Sequence, residues 1–198
     1  MMPTDECSRE VYHISWGSKF ANELIKSKVK KSKIFITGSI RNDLIYFKAN
    51  EQKLNVKNVL IPSSFGLSMM PRNYIENIEK IIEPNKLKKQ IDFMAKSRIS
   101  FFRIIYSCSL TNSNLNFIIR PHPHVDVQNY IKVFLKDINQ DQLPLNIIIE
   151  RKGSIYDFFN TGKKIICWHS TTALEATLMK KEVAILAPEK FPKFMEMD

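Results

Sequence analysis

Two stretches carry residues whose types and spacing suit chemistry: "FIIRPHPHVD" at 117–126 and "IICWHSTTALEA" at 165–176. In the first, Arg120, His122 and His124 occupy a loop stiffened by Pro121 and Pro123, whose rings fix φ. Preorganised Arg and His donors suit a pyrophosphate or a sugar hydroxyl. The plain alternative is a solvated proline loop. In the second, Ser170, Thr171 and Thr172 open a helix, where hydroxyls and free N–H groups suit a phosphate. Glu175 follows Ser170 by one turn and can reach back to ribose hydroxyls, for which a carboxylate is a double acceptor. The alternative is an N-cap followed by a helix-stabilising Glu. His169 is a third candidate contact, or a packing residue at a strand end.

Two more loops have similar chemistry. "RKGSIYDFF" (151–159) places Ser154 at a helix start after Gly153, with Asp157 spaced for a capping box. Lys152 or the backbone there can face a nucleotide base. "PSSFG" (62–66) offers Ser63, Ser64 and Gly66 in a turn that can approach a phosphate closely. Two histidines in one loop, with no Cys or acidic cluster at a suitable spacing, do not make a metal site, so no metal is expected. With five glycines, the chain has no P-loop, no GxGxxG and no GxSxG, which argues against a P-loop ATPase, a dinucleotide dehydrogenase or a nucleophile-elbow hydrolase.

The elements that must position these loops can be read from periodicity. Apolar runs at 57–62, 115–120, 145–150, 163–168 and 182–187 read as strands, and amphipathic stretches at 72–83, 84–110, 127–137, 154–160 and 170–180 read as helices. Pro84 sits at a plausible first helical turn. Upstream, 18–29 reads as a short helix, 33–38 as a strand stopped by Gly38, and 39–47 as a helix or turn. The strands are unalternating apolar runs, as in strands covered on both faces. Strand–helix alternation then implies an α/β fold, a Rossmann-like parallel sheet with helices on both faces. All four loops follow strands, so they project from one edge of that sheet, where ligands of open parallel sheets bind.

Composition bounds the partners. The 198 residues are 44% hydrophobic and 25% charged, enough for a sizeable core in one domain or one plus part of another. The formal charge of +10 fits an anionic partner, or a lysine-rich compositional bias. The lysine clusters at 25–33 and 85–90 lack the interleaved aromatics of single-strand binders, so no nucleic acid is expected. No window approaches the roughly 20 apolar residues of a membrane span, and no signal peptide is visible at the start. Cys7, Cys108 and Cys167 are scattered, which fits a reducing cytoplasm.

Taken in order, these motifs resemble a family. "KIFITGSIRNDL" is similar to the strand that ends the first domain in glycosyltransferases of the GT-B fold and in UDP-N-acetylglucosamine 2-epimerases. "IIRPHPHVD" resembles their Arg/His-Pro loop, and "GSIYDFFNTGKKIICWHSTTALEATLMKKEVAIL" resembles their nucleotide-binding segment. The nearest group is bacterial surface carbohydrate or capsule biosynthesis; the RPHP form is also similar to capsule sugar transferases and teichoic-acid-type glycerophosphotransferases. The resemblance covers roughly 33–190. It implies that Ser170, Thr171 and Thr172 hold the donor's phosphate, that Glu175 holds ribose, and that Arg120 and His122 act at the donor as catalytic residues; the loop chemistry read above adds Ser63, Ser64 and Ser154 as nucleotide or phosphate contacts. It implies no cofactor beyond a nucleotide-sugar donor substrate, and a glycan or lipid-linked acceptor. The location implied is cytoplasmic, with room for peripheral contact at the inner membrane. The chain departs from the pattern where "KKEV" replaces the usual Gly-x-Pro before the last strand. Residues 1–50 read as the tail of a truncated N-terminal domain and hinge, and 51–198 as a nucleotide-sugar-binding domain lacking its last helices. The implied activity is sugar transfer in surface polysaccharide synthesis, with catalysis needing both domains. The alternatives are an epimerase-like enzyme and a non-catalytic nucleotide-sugar-binding fragment.

Overall fold

The apolar runs become the strands of one sheet. A computed structural model describes residues 5–39, 42, 43, 45 and 55–192. The chain divides into two compact units, Met1–Asn50 and Glu51–Asp198.

In the first unit, helix α1 (Glu6–Glu10) is capped by Asp5, whose carboxylate accepts from the Ser8 N–H. Strands β1 (His13–Ser15) and β2 (Ile34–Ile36) pair in parallel, joined by α2 (Ser18–Lys26), which buries Ala21 and Leu24. Tyr12, Ile14, Trp16, Phe35 and Ile36 are exposed. The helix or turn expected over 39–47 lies largely outside the described residues.

In the second unit, β3 (Asn58–Pro62), β4 (Asn116–Arg120), β5 (Ile147–Ile149), β6 (Lys164–Cys167) and β7 (Glu182–Ile185) form a sheet in the order β5-β4-β3-β6-β7, with every pair parallel. The helices between them are α3 (Arg72–Glu79), α4 (Pro84–Thr111), α5 (Val127–Ile138), α6 (Ile155–Phe159) and α7 (Thr172–Leu178). Pro84 does open α4, where its missing N–H costs nothing, and the Glu83 carboxylate takes the Asn85 and Lys86 N–H groups. Asp126 caps α5, and Asn139 closes it in the left-handed conformation. No helix among the described residues is long and apolar enough to cross a membrane.

Alternation along the strands divides the core. Val59 and Ile61, Phe117 and Ile119, and Ile147 and Ile149 share one cluster with Phe101, Phe102 and Ile105 of α4 and Tyr130, Phe134 and Ile138 of α5. Leu60 and Ile165, which point the other way, are also fully buried. Cover on both faces therefore holds for the central strand β3. It fails at the edges: Ile148 of β5 is 39% exposed and Ile185 of β7 is 66% exposed. These are the two outer strands, and a run of apolar residues does not reveal which strand will lie outermost.

The strand order has a functional consequence. From β3 the chain lays β4 and β5 to one side, then crosses back and lays β6 and β7 on the other. The direction reverses between β3 and β6. In doubly wound sheets the crevice beyond the carboxyl ends of the strands at such a reversal is where ligands bind.

Candidate functional site

Because all strands are parallel, the loops after β3, β4, β5 and β6 leave the same edge of the sheet. Three sets of contacts bind these loops to one another. The loop after β3 meets the loop after β4 at Gly66. A Cβ placed on Gly66 would lie 3.1 Å from the His122 Cγ and 3.2 Å from its Nδ1, so the imidazole packs on bare backbone. The same β3 loop meets the β6 loop through Phe65 and Trp168, whose rings stack with centroids 4.8 Å apart. The β4 and β5 loops are tied by two arginines that exchange partners. Arg120 donates through Nη1 to the Lys152 carbonyl at 2.6 Å and through Nη2 to the Gly153 carbonyl at 2.7 Å. Arg151 donates through Nη1 to the carbonyls of His122 (3.3 Å), Pro123 (2.6 Å) and Val125 (3.1 Å).

Each predicted residue then has a place. Arg120 is half-buried and lies over the Phe158 ring, 5.8 Å from its centroid. Burial, and then the Arg151 charge, pull its guanidinium below the ordinary value, and Asp157 opposes them. Glu150, at the end of the neighbouring strand, pairs with Lys152 at 2.6 Å. His122 is half-buried, and its Nδ1 accepts the His124 N–H at 3.3 Å. That bond puts the proton of the neutral ring on Nε2, leaving a donor for a ligand. Burial, the neighbouring His124 and Arg151 all hold His122 below the usual histidine range, so it is neutral at pH 7.

Ser63 is buried beside the Tyr130 phenol, which burial pushes well above the usual tyrosine range while Ser63 partly opposes it. The Ser64 hydroxyl and the Trp168 indole N–H are buried without a hydrogen-bond partner among the described residues. A buried donor left unmet costs about 1–3 kcal/mol, so both can donate to a water or a ligand that reaches them.

Ser154 forms the capping box read from the sequence: its hydroxyl accepts the Asp157 N–H at 3.1 Å and the Asp157 carboxylate accepts the Ser154 N–H at 2.7 Å. Gly153 makes that turn possible, with φ of +59° and a would-be Cβ only 2.8 Å from the Asp157 carboxylate. Ser170 bonds Thr172 hydroxyl to hydroxyl at 2.7 Å and accepts the Thr172 N–H at 3.2 Å. Thr171 is the N-cap, so α7 starts two residues later than the sequence suggests. Glu175 is 4% exposed, buried in the first turn of α7 together with Ala176. Among the described residues no three of His, Cys, Asp and Glu gather as a metal would require.

Arg151 and Trp168 carry much of this geometry, yet sequence reading did not single them out. An Arg directly after a strand, on the same sheet edge as a proline-rich loop, was the available signal.

A direct test of the loop contact is Gly66→Ala. The added methyl meets the His122 ring, so the variant is expected to lose about 1–3 kcal/mol of stability through overpacking. The His122 ring resonances should move in the same variant. Unmoved resonances with full stability would mean that the two loops do not touch in solution.

Comparison with known proteins gives the frame for this geometry. A family model described as capsule polysaccharide biosynthesis protein matches residues 77–191. No curated protein matches the chain. Among solved structures, one assigned as a UDP-N-acetylglucosamine 2-epimerase from Listeria monocytogenes is similar at 12% identity with a TM-score of 0.54, covering 90% of this chain and 43% of that one. A UDP-GlcNAc 2-epimerase from Neisseria meningitidis, solved with UDP-GlcNAc, is similar at 13% identity with a TM-score of 0.49, covering 88% of this chain and 43% of that one. The first likeness establishes a shared fold, and the chain spans about two fifths of the length of these structures.

Proposed function

Since the chain belongs to the capsule polysaccharide biosynthesis protein family, we propose that residues 51–198 are the donor-nucleotide-binding part of a glycosyltransferase that builds a surface polysaccharide from a nucleotide-sugar. The observation that carries this reading is the meeting of the four strand-end loops at the sheet's switch point. There, His122 offers a neutral N–H donor and Arg120 and Arg151 add positive charge, while Ser64 and Trp168 hold buried donors. Such a site suits the phosphate of a nucleotide and the charge that grows on it as the glycosidic bond breaks. The Ser170–Thr172 turn is the second phosphate contact in this proposal.

A nucleotide-sugar epimerase is the competing enzyme, since that is what the two solved structures are described as. It needs a base that removes a proton from the sugar. His122 does not suit that role, because its Nδ1 lone pair already accepts the His124 N–H.

A thermal-shift panel of UDP-, CMP-, CDP- and GDP-linked sugars on the full chain tests the proposal. A ligand at 100 times its Kd that binds only the folded state adds about 2.7 kcal/mol of stability, a rise of several degrees for a domain of this size. The expected result is a rise for one nucleotide class and none for the free sugars. No rise with any nucleotide would overturn it.

A further inference from the structure

We propose that Arg151 is the positioning residue of this site, holding the His122 loop in one conformation and its imidazole in one tautomer. The proposal rests on the nucleotide-binding reading for its purpose, but its geometry is independent of it. Arg151 leaves the end of β5 and puts one guanidinium nitrogen against three carbonyls of the loop after β4. Those carbonyls belong to His122, Pro123 and Val125, so they span the whole turn that carries the imidazole. The His122 carbonyl also accepts the Val125 N–H at 2.9 Å, which closes the turn. Inside it the His124 N–H reaches the His122 Nδ1 at 3.3 Å. Turning the ring over would forfeit that bond, and Gly66 lies beside the ring so closely that a Cβ there would come within 3.1 Å of its Cγ. The only proton position left for the neutral ring is Nε2, on the side away from the turn.

Arginine suits this role better than lysine. Its Nη1 has two hydrogens shared among the three carbonyls and fixed in the guanidinium plane, on a weakly hydrated charge, whereas an ammonium is a strongly hydrated point charge that rotates freely. The charge also has a use. Arg151 is close enough to His122 to disfavour the imidazolium, together with burial and His124. The ring centroids of His122 and His124 are 5.1 Å apart, and Tyr74 covers His124 at 5.6 Å. Among the described residues, the charged groups that act on His122 are His124 on its own loop and Arg151 from the β5 loop, and from the β3 loop Gly66 lies against the ring. Arg120 completes the tie in the opposite direction, so neither loop can move without breaking bonds to the other. Arg151 touches no reacting atom in this scheme; it acts through His122.

The test is the imidazole nitrogen spectrum of His122 in the full chain, followed through a pH titration, with UDP binding measured alongside. Wild type should give a single Nε2–H tautomer and titrate below the ordinary histidine value. In Arg151→Gln, His122 should become a mixture of tautomers and titrate at higher pH, with His13 of the first unit as the internal reference. In Arg151→Lys the charge returns without the fork, so the low titration point should be largely restored while the tautomers stay mixed. A wild-type ring protonated on Nδ1, or a His122 that titrates identically in wild type and Arg151→Gln, would overturn the proposal. The nitrogen spectra need no ligand, so a wild type that fails to bind UDP or any nucleotide of the panel would strike the nucleotide reading and leave the positioning result standing on its own.

Discussion

Replacing Arg98 with alanine is expected to cost the larger unit about 3–5 kcal/mol, the range for removing one partner of a buried ion pair. Arg98 lies on α4 and Asp137 near the end of α5, and their side chains are only 10% and 7% exposed. The guanidinium donates through Nε to one carboxylate oxygen at 2.7 Å and through Nη2 to the other at 3.4 Å. Its remaining nitrogen holds the carbonyl and hydroxyl of Ser68, at 3.0 and 2.9 Å. Without it, a carboxylate is left buried with no opposite charge, because the neighbouring Arg103 reaches only the Asp137 backbone carbonyl. The contrast is Arg72–Glu76 on α3, with side chains 73% and 54% exposed, where removal should cost less than about 1 kcal/mol. Domains have about 5–15 kcal/mol in hand, so the Arg98 loss approaches unfolding. The double variant Arg98→Met, Asp137→Leu should recover most of it, since apolar replacements of buried pairs are often neutral or stabilising. Urea unfolding measures all three. Ser68 lies in the turn that carries Gly66, so amide exchange at 66–69 should quicken in Arg98→Ala before global unfolding. A loss below about 1 kcal/mol would mean that water reaches the pair.

Much of this fold was legible in the sequence because its signals are local. Strand–helix alternation implied parallel strands, and parallel strands put "PSSFG", "RPHPH", "RKGS" and "WHSTT" on one edge, where the structure has them. Pro84 and the Ser154–Asp157 box are satisfied within a few residues, so spacing alone reveals them. The strand order is different in kind. Alternation does not say that β6 returns to lie beside β3 instead of continuing beyond β5, because that choice is made by packing across more than a hundred residues. The three-residue strand β1 and the five-residue helix α1 are too short to show a period.

The site was legible as a set of loops and less so as a set of partners. Arg120 stood out as a cation in a rigid loop, but its actual partners are two carbonyls, which every residue carries and no sequence marks. Glu175 attracted attention as a carboxylate near helix-start hydroxyls. Its spacing also places it one turn before Met179, which is 1% exposed, and the same face is buried at both positions. The period of the helix therefore points inward while the residue type points to a ligand, and the folded chain buries the carboxylate at the first turn of α7.

Phe65→Ala is expected to remove about 3–5 kcal/mol, the range for deleting a buried phenyl ring, and to weaken nucleotide binding as well. Phe65 is 0% exposed and meets Phe101 edge-on at 5.4 Å, Phe102 edge-on at 5.9 Å and Trp168 in a stack at 4.8 Å. It stands directly between Ser64 and Gly66, so the ring that fills the core also sets where those two residues point. Its loss leaves a cavity under the switch point and frees Trp168, held otherwise by Phe93 at 5.9 Å and Phe191 at 5.6 Å. Trp16 belongs to the first unit, so a Trp16→Phe background makes Trp168 the sole indole emitter. Its emission should shift to the red in Phe65→Ala as water enters. Phe65→Leu separates packing from alignment. It refills most of the volume and should restore much of the stability, but it cannot stack on the indole. If the stack aligns the β3 and β6 loops for a nucleotide, Phe65→Leu should be nearly as stable as wild type and still show a reduced rise in Tm with the nucleotide that stabilises wild type. A full rise in Phe65→Leu would mean that each loop holds its own geometry, and that the aromatic contact between them serves the core alone.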